Sequence, residues 1–245
     1  MNAPFLDSVR VMPEKIEDPD MYPFNLPAVQ ALDNLRFAPV TYFVGENGSG
    51  KSTILEAIAV ASGFNAEGGT INFKFATRSS ESPLHAALRL VRRARPRGGF
   101  FLRAESFFNV ATEVERLGVG GYGDRSLHEQ SHGESFLALL KHRFGPDGLY
   151  ILDEPEAALS PARQLALLVR MNELVESNCQ LIIATHSPIV LAYPGATIYH
   201  VDSTGLSPVA YDDTEHVQLT RAFLNDRERH VNRLLAPPPE FDDED

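Results

Sequence analysis

The sequence of 245 residues holds one cysteine, Cys179. A lone thiol excludes an intrachain disulfide and a thiolate zinc cluster, and a reducing cytoplasm is the simplest compartment for such a chain. Long apolar runs are also missing. Nothing approaches the roughly 18 uncharged apolar residues that span a bilayer, so no membrane insertion is expected. The opening MNAPFLDSVRVMPEK lacks the apolar stretch of a secretory signal. Positive charge is scarce: 22 Lys and Arg face 33 Asp and Glu, for a net charge of −11. That balance argues against a surface that is basic all over, which nucleic-acid binding would favour. Internal repeats and heptads are absent, which excludes a coiled-coil arm.

What is present is enough apolar material, 43% of the chain, to bury a full core. A single domain over residues 1–236 is expected, followed by an acidic, disordered tail at 237–245, where three prolines precede Glu240, Asp242, Asp243, Glu244 and Asp245. Pro39 to Val44 is an apolar, β-rich run ending at Gly45. Ser52 to Ala61 then shows helical spacing through Ile54, Leu55, Ile58 and Ala59. Ile71–Ala76 alternates like a strand, Leu84–Ala94 reads as an amphipathic helix, and Gly98–Arg103 reads as a short strand. A helix is expected over Ser106–Leu117, a glycine-rich loop over Gly118–Arg125, and a further helix from Gly133. Leu149–Leu152 is a strand ending at Asp153, Pro161–Val175 is helical, and Gln180–Ala184 and Thr197–Val201 are strands. This alternation predicts an α/β fold with a mostly parallel sheet covered on both faces, an antiparallel edge, and a reduced helical lobe at about 78–132.

Gly45-Glu46-Asn47-Gly48-Ser49-Gly50-Lys51-Ser52 fills G-x-x-x-x-G-K-[ST] at every fixed position, between a predicted strand and a predicted helix. Each residue type there has a physical reason. Glycines let main-chain N–H groups curl around phosphate oxygens with no Cβ in the way. The positive end of the following helix faces the same anion. Lys51 supplies a full charge near the outer phosphates, and the Ser52 hydroxyl can ligate magnesium (Mg2+), with Thr53 next to it. Leu149-Tyr150-Ile151-Leu152-Asp153-Glu154 is the second element. Its strand is expected to deliver Asp153 to the sheet edge beside the phosphate loop as a magnesium ligand, on a strand tip adjacent to that of the loop. Glu154 is then placed to polarise the attacking water. ATP with Mg2+ is the expected cofactor pair, and ATP hydrolysis the expected reaction.

With these two elements in place, the chain resembles an ABC-type ATPase domain of the group shared by transporter subunits and SMC-like repair ATPases. Ser131-His132-Gly133-Glu134-Ser135 stands where that family has its signature loop, 22 residues ahead of Asp153. Ala158-Leu159-Ser160-Pro161 resembles the D-loop, and Ala184-Thr185-His186-Ser187 the switch-histidine loop. The resemblance covers about residues 20–205 in unbroken order. It implies a homodimer that sandwiches ATP, in which Ser131 and Gly133 contact the nucleotide held by the partner. It also implies that His186 senses the γ-phosphate and the attacking water. Tyr22 or Phe24 could stack on adenine, with a place in the core as the competing reading.

Two departures matter. The signature has His132 and Glu134 where transporter subunits usually have glycine and glutamine, which favours the SMC-like side. No glutamine occurs between Gly45 and Glu129, so the family's Q-loop glutamine is missing, and Glu105 is a candidate substitute. His128-Glu129-Gln130-Ser131-His132 matches the zinc-protease pattern, but the glycines around it oppose one continuous helix. Arg89, Arg92, Arg93, Arg95 and Arg97 read as a solvated helix face, or as a docking surface for nucleic acid or an acidic protein partner. Three roles therefore compete: a soluble switch in DNA maintenance or defence, the engine of a separate membrane transporter, and a nucleotide-dependent interaction module with negligible turnover.

Overall fold

Three short apolar runs, each with every residue buried, form the centre of the fold, and the computed structural model describes residues 4–71, 82–103 and 132–236 around them. In chain order the elements are β1 (Leu6–Val11), α1 (Pro27–Gln30), β2 (Leu35–Arg36), β3 (Val40–Val44), α2 (Lys51–Ser62), α3 (Leu84–Ala87), β4 (Leu88–Arg92) and β5 (Gly98–Arg103). They continue with α4 (His132–Arg143), β6 (Gly148–Asp153), α5 (Pro161–Glu176), β7 (Gln180–Ala184), β8 (Thr197–Asp202), β9 (Gly205–Pro208), α6 (Glu215–Asn225) and α7 (Arg227–Leu235). The main sheet has the order β5-β6-β7-β3-β8-β9. Its first five strands run parallel, and β9 closes the edge antiparallel to β8.

Alternate side chains of each central strand enter opposite layers, as a period of two requires. Tyr42, Tyr150, Leu152, Leu181 and Ile183 join one apolar cluster with Phe136, Leu139 and Leu140 of α4 and Leu167 and Met171 of α5. Phe43, Ile151, Ile182 and Phe101 face the other way, onto Ile54, Leu55 and Ile58 of α2 and onto Leu6 and Val9 of β1. A sheet apolar on both faces needs a cover on each side, and the helices and a small second sheet provide it.

That second sheet is antiparallel, in the order β2-β1-β4. The buried Gln180 side chain fastens it to the main sheet. Its Oε1 accepts from the Leu6 N–H at 2.8 Å and the Phe5 N–H at 3.3 Å, while its Nε2 donates to the Leu6 carbonyl at 2.9 Å and the Ala38 carbonyl at 3.3 Å. Strand β2 pairs with β1 at Ser8 and Val9, so the amide of Gln180 fills the next rung of the ladder with a side chain.

Several expectations are corrected here. The stretch predicted as a helix from Leu84 to Ala94 has four helical residues and then becomes strand β4, because Leu88–Val11, Leu90–Val9 and Arg92–Leu6 pair across to β1. The arginines that begin at Arg89 therefore do not lie on a helix face. Within the span expected to be a helical lobe, the described residues 82–103 hold the one-turn helix α3 and the strands β4 and β5. Ile71 is a turn residue, and the rest of its predicted strand lies outside the described residues, as do the predicted helix at 106–117, the glycine loop at 118–125, Glu105, the residues from His128 to Ser131 and the acidic tail.

Candidate functional site

Strand register sets the site. Arg103, Asp153, Ala184, Phe43 and Tyr199 occupy one cross-strand row at the carboxyl ends of β5, β6, β7, β3 and β8. Asp153 lies in that row, and the other strand-end candidates, Gly45, Glu154 and His186, follow it by one or two residues, the place where ligands usually bind in parallel sheets. The strand tips of the loop and of Asp153 are not adjacent, contrary to expectation, because β7 lies between β3 and β6. Contact is nevertheless made: Ser52 Oγ donates to Asp153 Oδ1 at 3.1 Å. Helix α2 starts over the sheet edge, and its first turn reaches across the intervening strand.

Between β3 and α2 the chain turns through Gly45, Gly48 and Gly50, all with positive φ. At Gly45, with φ at 146°, a Cβ would stand 2.1 Å from the Val201 carbonyl oxygen, so no other residue fits. The first-turn amides of α2 have no partners within the helix and open onto the same concavity. This hollow, of about 150 Å³, is walled by Tyr22, Gly48, Lys51, Ser52, Thr53 and Glu154. A larger cleft of about 430 Å³ adjoins it, between Glu46–Ser49 and the end of β8.

Lys51 is only 4% exposed, and its ammonium donates to the carbonyls of Gly45 at 2.8 Å and Glu46 at 2.7 Å. Burial lowers its pKa, and the carboxylates of Glu154, Asp153 and Glu156 oppose that shift. Asp153 is buried, and Arg103 reaches to 3.9 Å from its Oδ2 while pairing with Glu56 at 2.8 Å. Glu154 adopts the left-handed conformation at φ 52°, which costs a non-glycine residue about 1–2 kcal/mol. Its N–H donates to the Ala184 carbonyl, and its side chain stands 3.4 Å from His186 Nε2 without hydrogen-bond geometry.

His186 is held from three sides. Its N–H donates to Glu156 Oε1 at 2.5 Å, its Nδ1 lies 3.0 Å from His216 Nε2, and the next residue donates through Ser187 Oγ to Gln164 Oε1 at 2.6 Å. Burial and the nearby Lys51 lower the His186 pKa, and burial raises that of Glu156. Neither Glu156, His216 nor Arg103 was singled out from the sequence. Glu156 had a weak signal as a third acid just after Asp153 and Glu154, whereas His216 and Arg103 had none.

The structure thus brings together Gly45, Glu46, Asn47, Gly48, Ser49, Gly50, Lys51, Ser52, Thr53, Asp153, Glu154 and His186. Gly133 stands elsewhere, buried at the start of α4. A Cβ there would lie 2.9 Å from the Ala158 carbonyl oxygen and 2.4 Å from Arg163 Nη1, so its smallness lets α4 pack on the 155–158 turn. Ser131 is outside the described residues. Of the two aromatic candidates, Phe24 is core, but Tyr22 is 58% exposed and its hydroxyl meets Thr53 Oγ1 at 2.9 Å.

The residues present suit a magnesium-bound triphosphate. Ser49 Oγ and His186 Nε2 are buried with no hydrogen-bond partner, as expected of groups that await an acceptor. Among the described residues no cluster of three His, Cys, Asp or Glu could hold a metal. One hydroxyl and one carboxylate are what magnesium takes when phosphates and water complete its shell.

Comparison with known proteins agrees with this geometry. A family model described as "AAA domain" matches residues 29–88, which include the glycine turn. A second, described as "AAA domain, putative AbiEii toxin, Type IV TA system", matches 89–192, which include Asp153, Glu154 and His186. An "Uncharacterized ABC transporter ATP-binding protein" of Haemophilus influenzae is 31% identical over 90 residues, 36% of this chain and 34% of that protein. The thiamine import ATP-binding protein ThiQ of a Ruegeria species is 28% identical over 162 residues, 59% of this chain and 69% of that protein. The chain thus spans about a third of the length of the first relative. A solved structure described as "An inward-facing conformation of a putative metal-chelate type ABC transporter" superposes with a TM-score of 0.50 at 16% identity, over 90% of this chain and 89% of that one, which is a likeness of fold. Phosphate loop, strand-end acids, matched domain models and fold agree: the chain is a P-loop protein of the ABC/AAA-like ATPase type.

Proposed function

We propose that the chain binds ATP with magnesium and hydrolyses it, and that two copies close around the nucleotide. The observation that carries this reading is the 3.1 Å contact between Ser52 and Asp153, with Lys51 buried behind it and Glu154 beside it. Lys51 exchanges its two carbonyl partners for phosphate oxygens, which offsets the desolvation that now depresses its pKa. Ser52 and Asp153 hold the magnesium ion, which when bound neutralises charge on the outer phosphates. Glu154 orients the attacking water, fixed by its unusual main-chain conformation rather than by a side-chain bond. His186 presents Nε2 toward the same region. In the closed dimer Ser131 and Gly133 contact the nucleotide held by the partner copy, which requires the start of α4, where Gly133 is buried in the single chain, to open toward it.

The arginine segment gives little support to nucleic-acid binding. Arg93 pairs with Asp7, Arg97 lies 3.6 Å from Asp147, and Arg92 donates to the Ala61 carbonyl at the end of α2. The AbiEii-type model favours a switch in defence or DNA maintenance, and the importer relative favours a role as engine of a transporter. The first reading is preferred because His132 and Glu134 depart from the transporter signature. The test is a Glu154→Gln variant with ATP and magnesium. A stable dimer that forms only with nucleotide, beside a wild type whose phosphate release rises faster than linearly with protein concentration, supports the proposal. A monomer at all concentrations, or nucleotide binding unchanged in Lys51→Ala, overturns it.

A further inference from the structure

We propose that His216, on the first turn of α6, is a positioning residue that fixes which nitrogen of His186 carries the proton. The inference rests on the reading that His186 serves the reacting phosphate. Its observation is separate: the two imidazoles meet through His186 Nδ1 and His216 Nε2 at 3.0 Å, with ring planes at 67° and centroids 5.0 Å apart. One hydrogen occupies that contact, and either ring can supply it.

The opposite nitrogen decides which ring does. His186 Nε2 is buried, lacks a formed hydrogen bond and points toward Glu154 Oε1 at 3.4 Å. An ionised carboxylate only accepts hydrogen bonds, and so does a phosphate oxygen. To serve either one, Nε2 must carry a hydrogen. A neutral ring protonated at Nε2 has a bare Nδ1, so the hydrogen at 3.0 Å belongs to His216. Were His216 Nε2 bare instead, His186 would place its hydrogen on Nδ1 and turn a lone pair toward two acceptors. The neutral state itself is supported by burial and by the Lys51 ammonium, which both lower the His186 pKa.

His216 is well fixed for this task. Thr214 precedes α6, is buried and donates its hydroxyl to the Tyr211 carbonyl at 2.8 Å, and Val217 anchors the same turn in the core. The Glu156 carboxylate holds the His186 main chain, so the ring has little freedom to leave its neighbour. In metal and hydrolase sites, too, the partner on one ring nitrogen sets the tautomer at the other, although there it accepts a hydrogen where His216 would donate one.

Two variants and one spectrum test it. Long-range proton–nitrogen correlation on the nucleotide-free wild type is expected to show His186 as the Nε2–H tautomer. His216→Leu removes the donor at similar volume. It is expected to leave a tautomer mixture and to lower kcat by about ten- to a hundredfold with KM for ATP nearly unchanged. His216→Gln keeps an N–H at similar reach and is expected to restore both the tautomer and most of the rate. An Nδ1–H tautomer in the wild type, or a His216→Leu protein with wild-type tautomer and kcat, overturns the proposal. If His216→Leu fails to fold, the wild-type spectrum and the Gln variant decide. A wild type with no ATP turnover sinks the parent reading alone, because the spectrum is recorded without nucleotide.

Discussion

Gln180→Leu removes a buried side chain that joins the small antiparallel sheet to the main one through four main-chain groups. Leu6 loses partners for both its N–H and its carbonyl, at 2.8 and 2.9 Å, and Phe5 and Ala38 lose weaker ones at 3.3 Å. Leu6 and Phe5 are 1% and 3% exposed, so water cannot replace the lost bonds without opening the fold. A buried unsatisfied group costs about 1–3 kcal/mol. Two strong losses, partly offset by the apolar burial of leucine, give a net of about 3 kcal/mol. At about 2–4 °C per kcal/mol for a chain of this size, Tm should fall by about 6–12 °C. Differential scanning calorimetry measures the change, and hydrogen exchange locates it: amides of β1 and β4 should lose protection before those of β6. Gln180→Glu should be no better, since a carboxylate cannot donate to Leu6 and is costly to bury. A Tm within about 2 °C of wild type in the leucine variant would refute the reasoning, because the amide would then be an ornament on an interface held by apolar packing.

Two further outcomes are expected. Arg103→Ala should raise apparent magnesium affinity in an ATP-binding titration, because the guanidinium competes for Asp153 Oδ2 from 3.9 Å, while stability falls by about 1–3 kcal/mol as the mostly buried Glu56 loses its partner; weaker magnesium binding would point to a supporting role instead. Stability should also fall as pH drops from the ordinary histidine value of 6.5 through the depressed folded-state values of His186 and His216, since the unfolded chain takes up protons that the folded pair refuses. Urea midpoints on either side of that value read the slope, and a double His186→Gln, His216→Gln variant should flatten it.

The glycine turn and the acidic strand end were legible because their chemistry is local. Eight consecutive residues set the loop, and an apolar run fixes where Asp153 emerges. The spans of β5 and β7 follow from composition alone, and those of β3, β6, α2 and α5 agree within a residue or two. Leu84–Ala94 was misjudged because Leu84, Leu88 and Val91 satisfy helical spacing while Leu88 and Leu90 equally satisfy alternation. The decision came from β1, some 80 residues earlier, whose pairing no local pattern announces. His216 and Gln180 were invisible for the same reason. Each is a single polar residue whose partner is distant in sequence, and its meaning exists only once the sheet has formed. For Tyr22 the sequence leaves adenine stacking and the core open, because an aromatic residue in a short apolar stretch suits either; its exposure and its hydroxyl contact with Thr53 exclude the core.

The shared row of Arg103, Asp153, Ala184 and Phe43 has one more consequence. Sliding β6 by a single position against β7 would carry the aspartate about 3.3 Å along the strand and reverse its facing. The hydroxyl on α2 could not follow. The contact between Ser52 and Asp153 therefore doubles as an alignment gauge for the sheet: a molecule assembled out of step would lack it, however well folded it looked by most spectroscopic measures.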